Sequence, residues 1–175
     1  MKVDFSRLHR LFYPQVPTIL SARSATRVSA MPVVSYASVS TSPPLLVVAC
    51  DPDAFTLRLA LASKAFSLSL LGRHQIPAME RLATTSGRDV ADKLSDAGLG
   101  YTAGVKLDVP VIRGAEATLE CQLHSKRRLG DHVLFVGLVK ACYASSKFGD
   151  FWDFKAYRPV LYTGWQGGMT TYKGS

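Results

Sequence analysis

Residues 29–50 read SAMPVVSYASVSTSPPLLVVAC and contain the strongest fold signal in the chain. The segment ends in a continuous apolar run, residues 45–50, whose length is typical of a strand buried on both faces. Residues 36–42 before it are small and polar, which favours an irregular loop, and two prolines then keep the chain extended. This order predicts a β-rich core with a polar loop beside a central strand.

Further strands are predicted on both sides of this segment. They cover residues 16–22, 26–34, 66–71, 111–112, 115–124, 131–143 and 159–162, and residues 120–123 are expected to pair with 132–136 across a turn at 126–130. Helices are predicted after Asp53, a candidate cap, and at residues 76–84 and 89–97, the last two ending at Gly87 and Gly98. Many strands with few short helices indicate a mainly β fold, a β-barrel with helical inserts, formed as one domain over residues 1–175.

Composition narrows the class of protein. The chain has 175 residues, of which 47% are hydrophobic and 19% charged, so a disordered chain is excluded. No apolar run reaches the roughly 18 residues that a membrane span needs, and we expect no membrane association. Three widely spaced cysteines without a CxxC pair favour reduced thiols and a cytoplasmic location.

The net charge of +8 has two interpretations: attraction of anionic ligands, or a solvated basic surface. Its densest cluster, Lys126-Arg127-Arg128, has no interleaved aromatic side chains, so nucleic-acid binding is disfavoured.

Several familiar site motifs are missing from the sequence. It contains no GxGxxG after a strand, no GxxxxGK[ST], no GxSxG and no HExxH. His124 and His132 have no matched acid or cysteine pair, so we expect no metal site.

Two neighbouring features suggest a ligand with a planar ring at one end and a phosphate at the other. Hydroxyl side chains, among them Ser35 and Ser38, crowd next to the apolar strand, where small residues let a flat ligand approach the backbone. The alternative is an ordinary polar loop. A helix beginning near Thr56 supplies a possible phosphate site, with a simple helix cap as the alternative.

The same segment resembles the flavin reductase family, in which an NxMTxSWxxxVSxxPP-like stretch leads into an apolar strand. Downstream, further motifs occur in the family's order: Asp92-Lys93-Leu94, residues 117–121 (ATLEC), Gly130-Asp131-His132, and Pro159-Val160-Leu161-Tyr162 followed by Gly164. The resemblance covers residues 14–172. This chain departs from the pattern at Ser29 and Pro32, which replace the family's asparagine and threonine.

The resemblance implies a split β-barrel of the FMN-binding type, a homodimer, and FMN as cofactor, with FAD as the alternative. It also implies NADH or NADPH as electron donor and, in some members, a partner monooxygenase. Carried over by motif, four residues should lie along the flavin ring and ribityl chain: Ser35, Tyr36, Ala37 and Ser38. Five should surround its phosphate end: Cys50, Asp51, Phe55, Thr56 and Leu57. Lys93 could reach the phosphate or the ring oxygens with its positive charge.

The leading functional hypothesis is an NAD(P)H-dependent flavin oxidoreductase, in which the nicotinamide delivers a hydride to the flavin. His132 is the candidate catalytic residue, with a locally bonded turn histidine as the alternative. A flavin-binding electron carrier without nicotinamide activity, a non-redox split-barrel module and a nucleic-acid-binding barrel are the other hypotheses. The aromatic cluster Phe151, Trp152, Phe154 and Tyr157 could cover the flavin, form a dimer interface or pack in the core, and Trp165 and Tyr172 could form a lid or a dimer arm.

Overall fold

The computed structural model describes residues 2–164 and 168–171, in which strands predominate. The strands are β1 (Thr18–Arg23), β2 (Val28–Val33), β3 (Tyr36–Thr41), β4 (Pro44–Cys50), β5 (Ala65–Leu70), β6 (Tyr101–Ala103), β7 (Pro110–Ile112), β8 (Ala117–Leu129), β9 (His132–Ala144), β10 (Val160–Tyr162) and β11 (Met169–Thr171). The α-helices are α1 (Phe55–Ser63), α2 (Ile76–Thr84) and α3 (Lys93–Asp96), and 3₁₀ helices cover Phe5–Phe12 and Arg73–Gln75. Among these helices, none is long and apolar enough to cross a membrane.

Seven strands form one antiparallel sheet in the order β2-β1-β5-β8-β9-β4-β3. Its two edge strands, β2 and β3, are consecutive in the chain and are separated only by Val34 and Ser35. The chain therefore passes directly from one edge of the sheet to the other, which requires the sheet to curl. The edges stay unpaired with each other, so the barrel is split and not closed.

The inside of the curled sheet is filled by large apolar side chains. Phe66 of β5 and Phe135 of β9 are fully buried, and their rings meet edge to face with centroids 5.1 Å apart. Helix α1 covers this core through Leu57, which is 1% exposed. A Cβ on Gly137 would lie 2.5 Å from Phe66 Cζ, so glycine is needed where β9 passes the ring.

A second apolar cluster lies between the sheet and the helical inserts. Ile19 of β1 packs there with Met79 and Leu82 of α2, Leu94 of α3, and Val160 of β10. This cluster holds α2 and α3 against the part of the sheet formed by β1 and β2. It therefore positions the C-terminal end of α2 close to the start of α1.

A buried carboxylate fastens the loop before β7 to the sheet. Glu120, fully buried in β8, accepts hydrogen bonds from the backbone N–H groups of Val105, Lys106 and Leu107 at 2.7, 2.9 and 2.7 Å. The Tyr143 hydroxyl donates a fourth. Burial raises the pKa of Glu120, but the hydrogen bonds from Tyr143 and the three amides outweigh it and lower that pKa below its ordinary value.

Two expectations for the opening segment are wrong. The polar stretch 36–42 was expected as a loop, but most of it is strand β3, which pairs with β4 from Tyr36↔Val48 onward and has a bulge between Ser38 and Ser40. Strand β4 is not buried on both faces, because only alternate residues, Leu46, Val48 and Cys50, are buried. Pairing across the sheet outweighs the low strand propensity of the small polar residues.

The helix boundaries also differ in part. Helix α2 has the predicted bounds, but its C-cap is Thr85, so it does not end at Gly87 as expected. Helix α1 has Ala54 at its N-cap, and the predicted cap Asp53 donates its N–H to the Asp51 carboxylate at 2.7 Å. In the expected helix 89–97 only Lys93–Asp96 is helical, because the Asp92 carboxylate caps it by accepting from Ser95 N at 3.0 Å.

The β8–β9 hairpin is longer than predicted. Its turn is Gly130 and Asp131, with Gly130 at φ 59°, and Lys126-Arg127-Arg128 lies within β8. Residues 120–123 therefore pair with 137–141 instead of 132–136. Strands β6 and β11 and the first 3₁₀ helix were not predicted, and Trp165 and Tyr172 lie outside the described residues.

Candidate functional site

A cavity of about 470 Å³ opens between the N-terminal segment, the end of β2, the start of α1 and the end of α2. Its walls are formed by Tyr13, Pro17, Met31, Pro32, Val34, Phe55, Thr56, Leu82, Ala83, Thr85, Ser86, Gly87, Lys93, Tyr162 and Met169. A cavity of this size is in the range of small-molecule and cofactor sites. We refer to it as the main cavity.

Apolar and aromatic side chains line much of the main cavity. Met31, Pro32 and Val34 come from the end of edge strand β2 and the residue after it. The rings of Tyr13 and Tyr162 meet edge to face, with centroids 5.0 Å apart and an angle of 85° between their planes. Such walls suit a flat, largely apolar ring system.

The two tyrosines are brought together by backbone pairing of distant segments. Gln15 N donates to Tyr162 O at 3.1 Å, and Tyr162 N donates to Gln15 O at 2.8 Å. Gly164, at φ 71°, follows β10, and any Cβ there would collide with the Tyr13 ring. The N-terminal segment and β10 thus form one wall although about 150 positions separate them in sequence.

Hydroxyl groups supply the polar part of the main cavity. Thr56, at the start of α1, is 2% exposed, and its Oγ1 lies 2.8 Å from Oγ of the fully buried Ser29. Ser29, where the family has asparagine, therefore fixes the orientation of Thr56. Thr85 Oγ1 is buried and has no hydrogen-bond partner in the described part of the chain. A buried hydroxyl without a partner is costly, which favours a bound ligand as its partner.

Two arginines hold the segment after α2 in place, Arg27 against the start of β2 and Arg88 against the turn before α1. Arg27 donates to the carbonyl oxygens of Gly87 and Arg88 at 3.3 Å and to Val90 O at 3.2 Å. The Arg88 side chain donates to Asp53 O at 2.7 Å. A Cβ on Gly87 would lie 2.6 Å from Phe55 Cδ1, so only glycine allows this close approach.

Lys93 places a buried amine at the wall of the main cavity. The residue is 4% exposed, and its Nζ donates to Leu82 O at 2.8 Å. Burial lowers the pKa of Lys93 to about 8, with Asp96 acting in the opposite direction. At neutral pH the amine is largely protonated, so it offers a positive charge to an anionic group of a ligand.

A second, mostly apolar groove of about 390 Å³ is lined by residues that follow Ser35 in the sequence, whereas Val34 before it lines the main cavity. Tyr36, Ala37 and Ser38 of β3 line it together with leucines of β4, β5 and β8. The Tyr36 hydroxyl donates to Val16 O at 2.9 Å. Residues 34–36 therefore run from the main cavity into this second groove.

Comparisons with known proteins agree with a flavin site. The sequence profile of the flavin reductase like domain family matches residues 8–164. The chain belongs to the flavin reductase family. This family member is 30% identical to an NADH-dependent FAD reductase of Streptomyces globisporus over 138 residues, which are 78% of this chain and 74% of that protein.

Other relatives extend the comparison. A protein of Aeropyrum pernix is 32% identical over 93% of this chain, which spans only 62% of that protein's length. The reductase component of 4-hydroxyphenylacetate 3-monooxygenase from Thermus thermophilus is 31% identical over 70% of this chain and 72% of its own. The crystal structure of an FMN-binding protein from Thermus thermophilus with bound 1-cyclohex-2-enone is 31% identical, with a TM-score of 0.79, covering 91% of this chain and 87% of that one. The resemblance and the mainly β, split-barrel fold are thus confirmed.

The residues that the sequence predicts as flavin contacts fall into three groups. Phe55, Thr56 and Lys93 line the main cavity, whereas Tyr36, Ala37 and Ser38 line the second groove. Four others line neither: Ser35 is exposed between the two, Asp51 forms the turn before α1, and Cys50 and Leu57 are buried in the core. Burial raises the pKa of the Cys50 thiol to about 12, with Asp51 adding to the shift.

His132 lies at the end of the β8–β9 hairpin, outside both the main cavity and the second groove. Its Nδ1 is 2.8 Å from the Asp131 carboxylate, and its side chain is 48% exposed. This arrangement fits the alternative of a locally bonded turn histidine. In the chain by itself, the predicted catalytic residue and the predicted phosphate contacts are therefore not brought together.

Sequence reasoning missed most of the main cavity's wall. Tyr13 gave no sequence signal, and Met31 and Tyr162 lie in motifs that were matched to the family without a place in the site, because only non-local pairing brings these residues together. Thr85 and Ser86 could have been found, since a run of hydroxyl residues precedes Gly87 and the Asp92-Lys93-Leu94 motif. In the described ranges no group of three or more His, Cys, Asp or Glu side chains is placed to hold a metal ion.

Proposed function

We propose that this protein is a flavin reductase that binds FMN in the main cavity and oxidises NADH or NADPH. The observation that carries the proposal is the combination, in one cavity, of apolar and aromatic walls with the unpartnered Thr85 hydroxyl and the buried Lys93 amine. These groups fit a planar ring joined to a phosphate. Family membership and the NADH-dependent relative support a nicotinamide nucleotide as the electron donor.

The fit assigns roles to residues of this chain. Met31, Pro32 and Val34 would lie against the ring, and Thr56, Thr85 and Lys93 would hold the phosphate end. FAD remains the alternative cofactor, since the relative in Streptomyces globisporus reduces FAD.

The remaining predicted contacts stay part of the proposal. Ser35, Tyr36, Ala37 and Ser38 follow Val34 directly, so a ligand leaving the cavity along the chain would meet them. Cys50, Asp51, Phe55 and Leu57 flank the turn into α1, where contacts through the backbone are the ones open to the buried Cys50 and Leu57.

The bound flavin would supply the redox chemistry, by accepting a hydride from the nicotinamide. The chain's part is to bind, orient and exclude water. Lys93 contributes positive charge, and the tyrosine wall limits access of solvent. His132 is proposed to contact the nicotinamide, because its exposed side chain is accessible to a ligand from solvent.

The test combines a flavin titration with an oxidation assay. Purified protein is titrated with FMN and with FAD, and NADH or NADPH oxidation is then followed by absorbance with free flavin as the blank. We expect saturable FMN binding and oxidation above the blank with at least one nucleotide. Absence of flavin binding, or no oxidation above the blank with either nucleotide, would contradict the proposal.

An electron carrier that retains FMN without its own nicotinamide activity is the second candidate. The 31% identical structure is of an FMN-binding protein, which favours retention of FMN. The same assay separates the two: tight FMN binding without NADH or NADPH oxidation would indicate the carrier.

Assembly and location complete the proposal. A homodimer is supported by the apolar second groove beside exposed Val39 of edge strand β3, and sedimentation or light scattering would measure it. A partner monooxygenase is supported by the relative that is a monooxygenase reductase component. A cytoplasmic location is supported by the three free cysteines. A single domain over residues 1–175 is supported by the main sheet, which contains strands from both halves of the chain.

A further inference from the structure

A cleft lined by basic side chains lies at the N-terminal end of α2. It has a volume of about 580 Å³. Arg73 and His74 come from the 3₁₀ turn before α2, Lys147 from the segment after β9, and Arg158 from the segment just before β10. None of these four residues lines the main cavity, so this basic cleft is a separate feature.

One carboxylate organises the basic cleft. Glu116 is the only acidic residue that lines it within the described ranges, and its side chain is 7% exposed. It accepts from Lys147 Nζ at 2.5 Å and from Ser145 Oγ at 2.9 Å. Glu116 therefore holds the Lys147 amine in place and balances its charge.

The two arginines of the basic cleft have no such partner. The ion pairs of the described residues include neither Arg73 nor Arg158, and neither side chain donates a hydrogen bond there. With Glu116 balancing Lys147, the two arginines leave the cleft with an excess of two positive charges. Like charges held close together repel, and a bound anion relieves that repulsion.

We propose that the basic cleft binds a phosphate monoester dianion, separately from the flavin. Guanidinium groups pair with phosphate oxygens in a bidentate geometry, and a dianion matches the excess of two charges at Arg73 and Arg158. The Lys147 amine adds a third donor. The phosphate could belong to a free phosphorylated metabolite or to the 2′-phosphate of a dinucleotide, which share this chemistry.

The lining of the basic cleft distinguishes this ligand from a nucleic acid strand. Among the described residues its lining includes no phenylalanine, tyrosine or tryptophan, and His74 alone gives no series of platforms on which successive bases could stack. A small concave site lined by several basic side chains suits a single phosphate group better than an extended backbone.

The test is isothermal titration of the full chain with inorganic phosphate in a phosphate-free buffer. The variants Arg73→Gln and Arg158→Gln each remove one cleft charge, and both residues are exposed, so folding should be unaffected. Arg127→Gln is the matched control, since Arg127 is exposed in β8 and outside the cleft. We expect one saturable site that persists when FMN saturates the main cavity, weakened at least about tenfold in each cleft variant and unchanged in the control.

Two results would overturn the proposal: no saturable binding of phosphate, or equal weakening in Arg127→Gln. NADPH and NADH titrations identify the source of the phosphate. NADPH binding that is tighter than NADH binding, and is weakened in the cleft variants, would indicate the 2′-phosphate, whereas equal affinities with phosphate binding retained would indicate a free metabolite. FMN titration of the same variants should be unchanged, so failure of the flavin proposal would be seen separately.

Discussion

Replacing Lys93 with methionine tests the electrostatics of the main cavity. Methionine keeps the length and the apolar stem but removes the charge and the hydrogen bond to Leu82 O. We expect FMN affinity to fall, because the phosphate loses a cationic partner, while the unliganded protein keeps or gains stability. The effects on FMN affinity and on stability have opposite signs because burial makes the charged amine unfavourable until an anion binds.

The magnitude follows from the pKa of Lys93. An ordinary lysine pKa is about 10.4, and the value here is about 8. Below about pH 8 the charged amine therefore costs the folded protein about 3 kcal/mol. Between these two pKa values the unfolded state binds more protons, so stability rises with pH across that window. Removing the amine relieves this cost but leaves Leu82 O without a donor, which costs about 1–3 kcal/mol.

The net effect of Lys93→Met on the free energy of unfolding at pH 7 is thus between about 0 and 2 kcal/mol of added stability. Its effect on FMN is larger and opposite. A charge-assisted hydrogen bond contributes about 1.5–3 kcal/mol, so affinity should fall by about 10-fold to 150-fold. In the wild type, affinity should also decline as pH rises above about 8, where Lys93 loses its proton.

The assay is flavin fluorescence quenching, titrated at several pH values on both sides of 8, with chemical denaturation in parallel. Lys106→Met is the matched control, because Lys106 is exposed and only its backbone N–H contacts Glu120. If Lys93→Met binds FMN within about twofold of the wild type, or keeps the same decline with pH, Lys93 does not contact the phosphate and the reasoning is refuted.

Three further substitutions have expected outcomes. Thr85→Val should weaken FMN binding about 5-fold to 10-fold without loss of stability, because none of the described residues hydrogen-bonds to Oγ1. Unchanged affinity in a fluorescence titration would contradict this. Gly87→Ala should destabilise the protein by about 1–3 kcal/mol, because the added Cβ collides with Ser29. Gly149→Ala is the control, since nothing lies within 4 Å of a Cβ there, and thermal unfolding compares the two variants. Glu120→Gln should lower the free energy of unfolding by about 2–4 kcal/mol at pH 7. The difference in stability between variant and wild type should shrink at acid pH, where Glu120 of the wild type becomes protonated, and denaturation at several pH values measures it.

Local patterns predicted much of the fold. Helix α2 was found within its observed bounds, and β4 nearly so, because both carry their signal in their own apolar residues. Strand β3 was missed because serine and threonine favour turns in isolation, and only pairing with β4 makes them a strand. The order of the motifs predicted the split-barrel type of the fold, since it identified the family that the profile match confirms.

The candidate site was predicted only in part, for a physical reason. Thr56 and Lys93 belong to local motifs, and both line the main cavity. Tyr13 and Tyr162 line it because Gln15 pairs with Tyr162 across nearly the whole chain, and no local pattern contains that pairing. Ser29 shows how a departure from the family pattern is absorbed, since its hydroxyl meets Thr56.

The long β8–β9 hairpin gives the basic cluster Lys126-Arg127-Arg128 a role that does not involve a ligand. β5 pairs with β8 only as far as Gln122, so in the described structure the outer half of β8 has hydrogen-bonding groups open along one side. Such an open edge invites another chain to add a strand and begin aggregation, and charged side chains oppose that. Part of the chain's positive charge would thus act as a safeguard of solubility during folding.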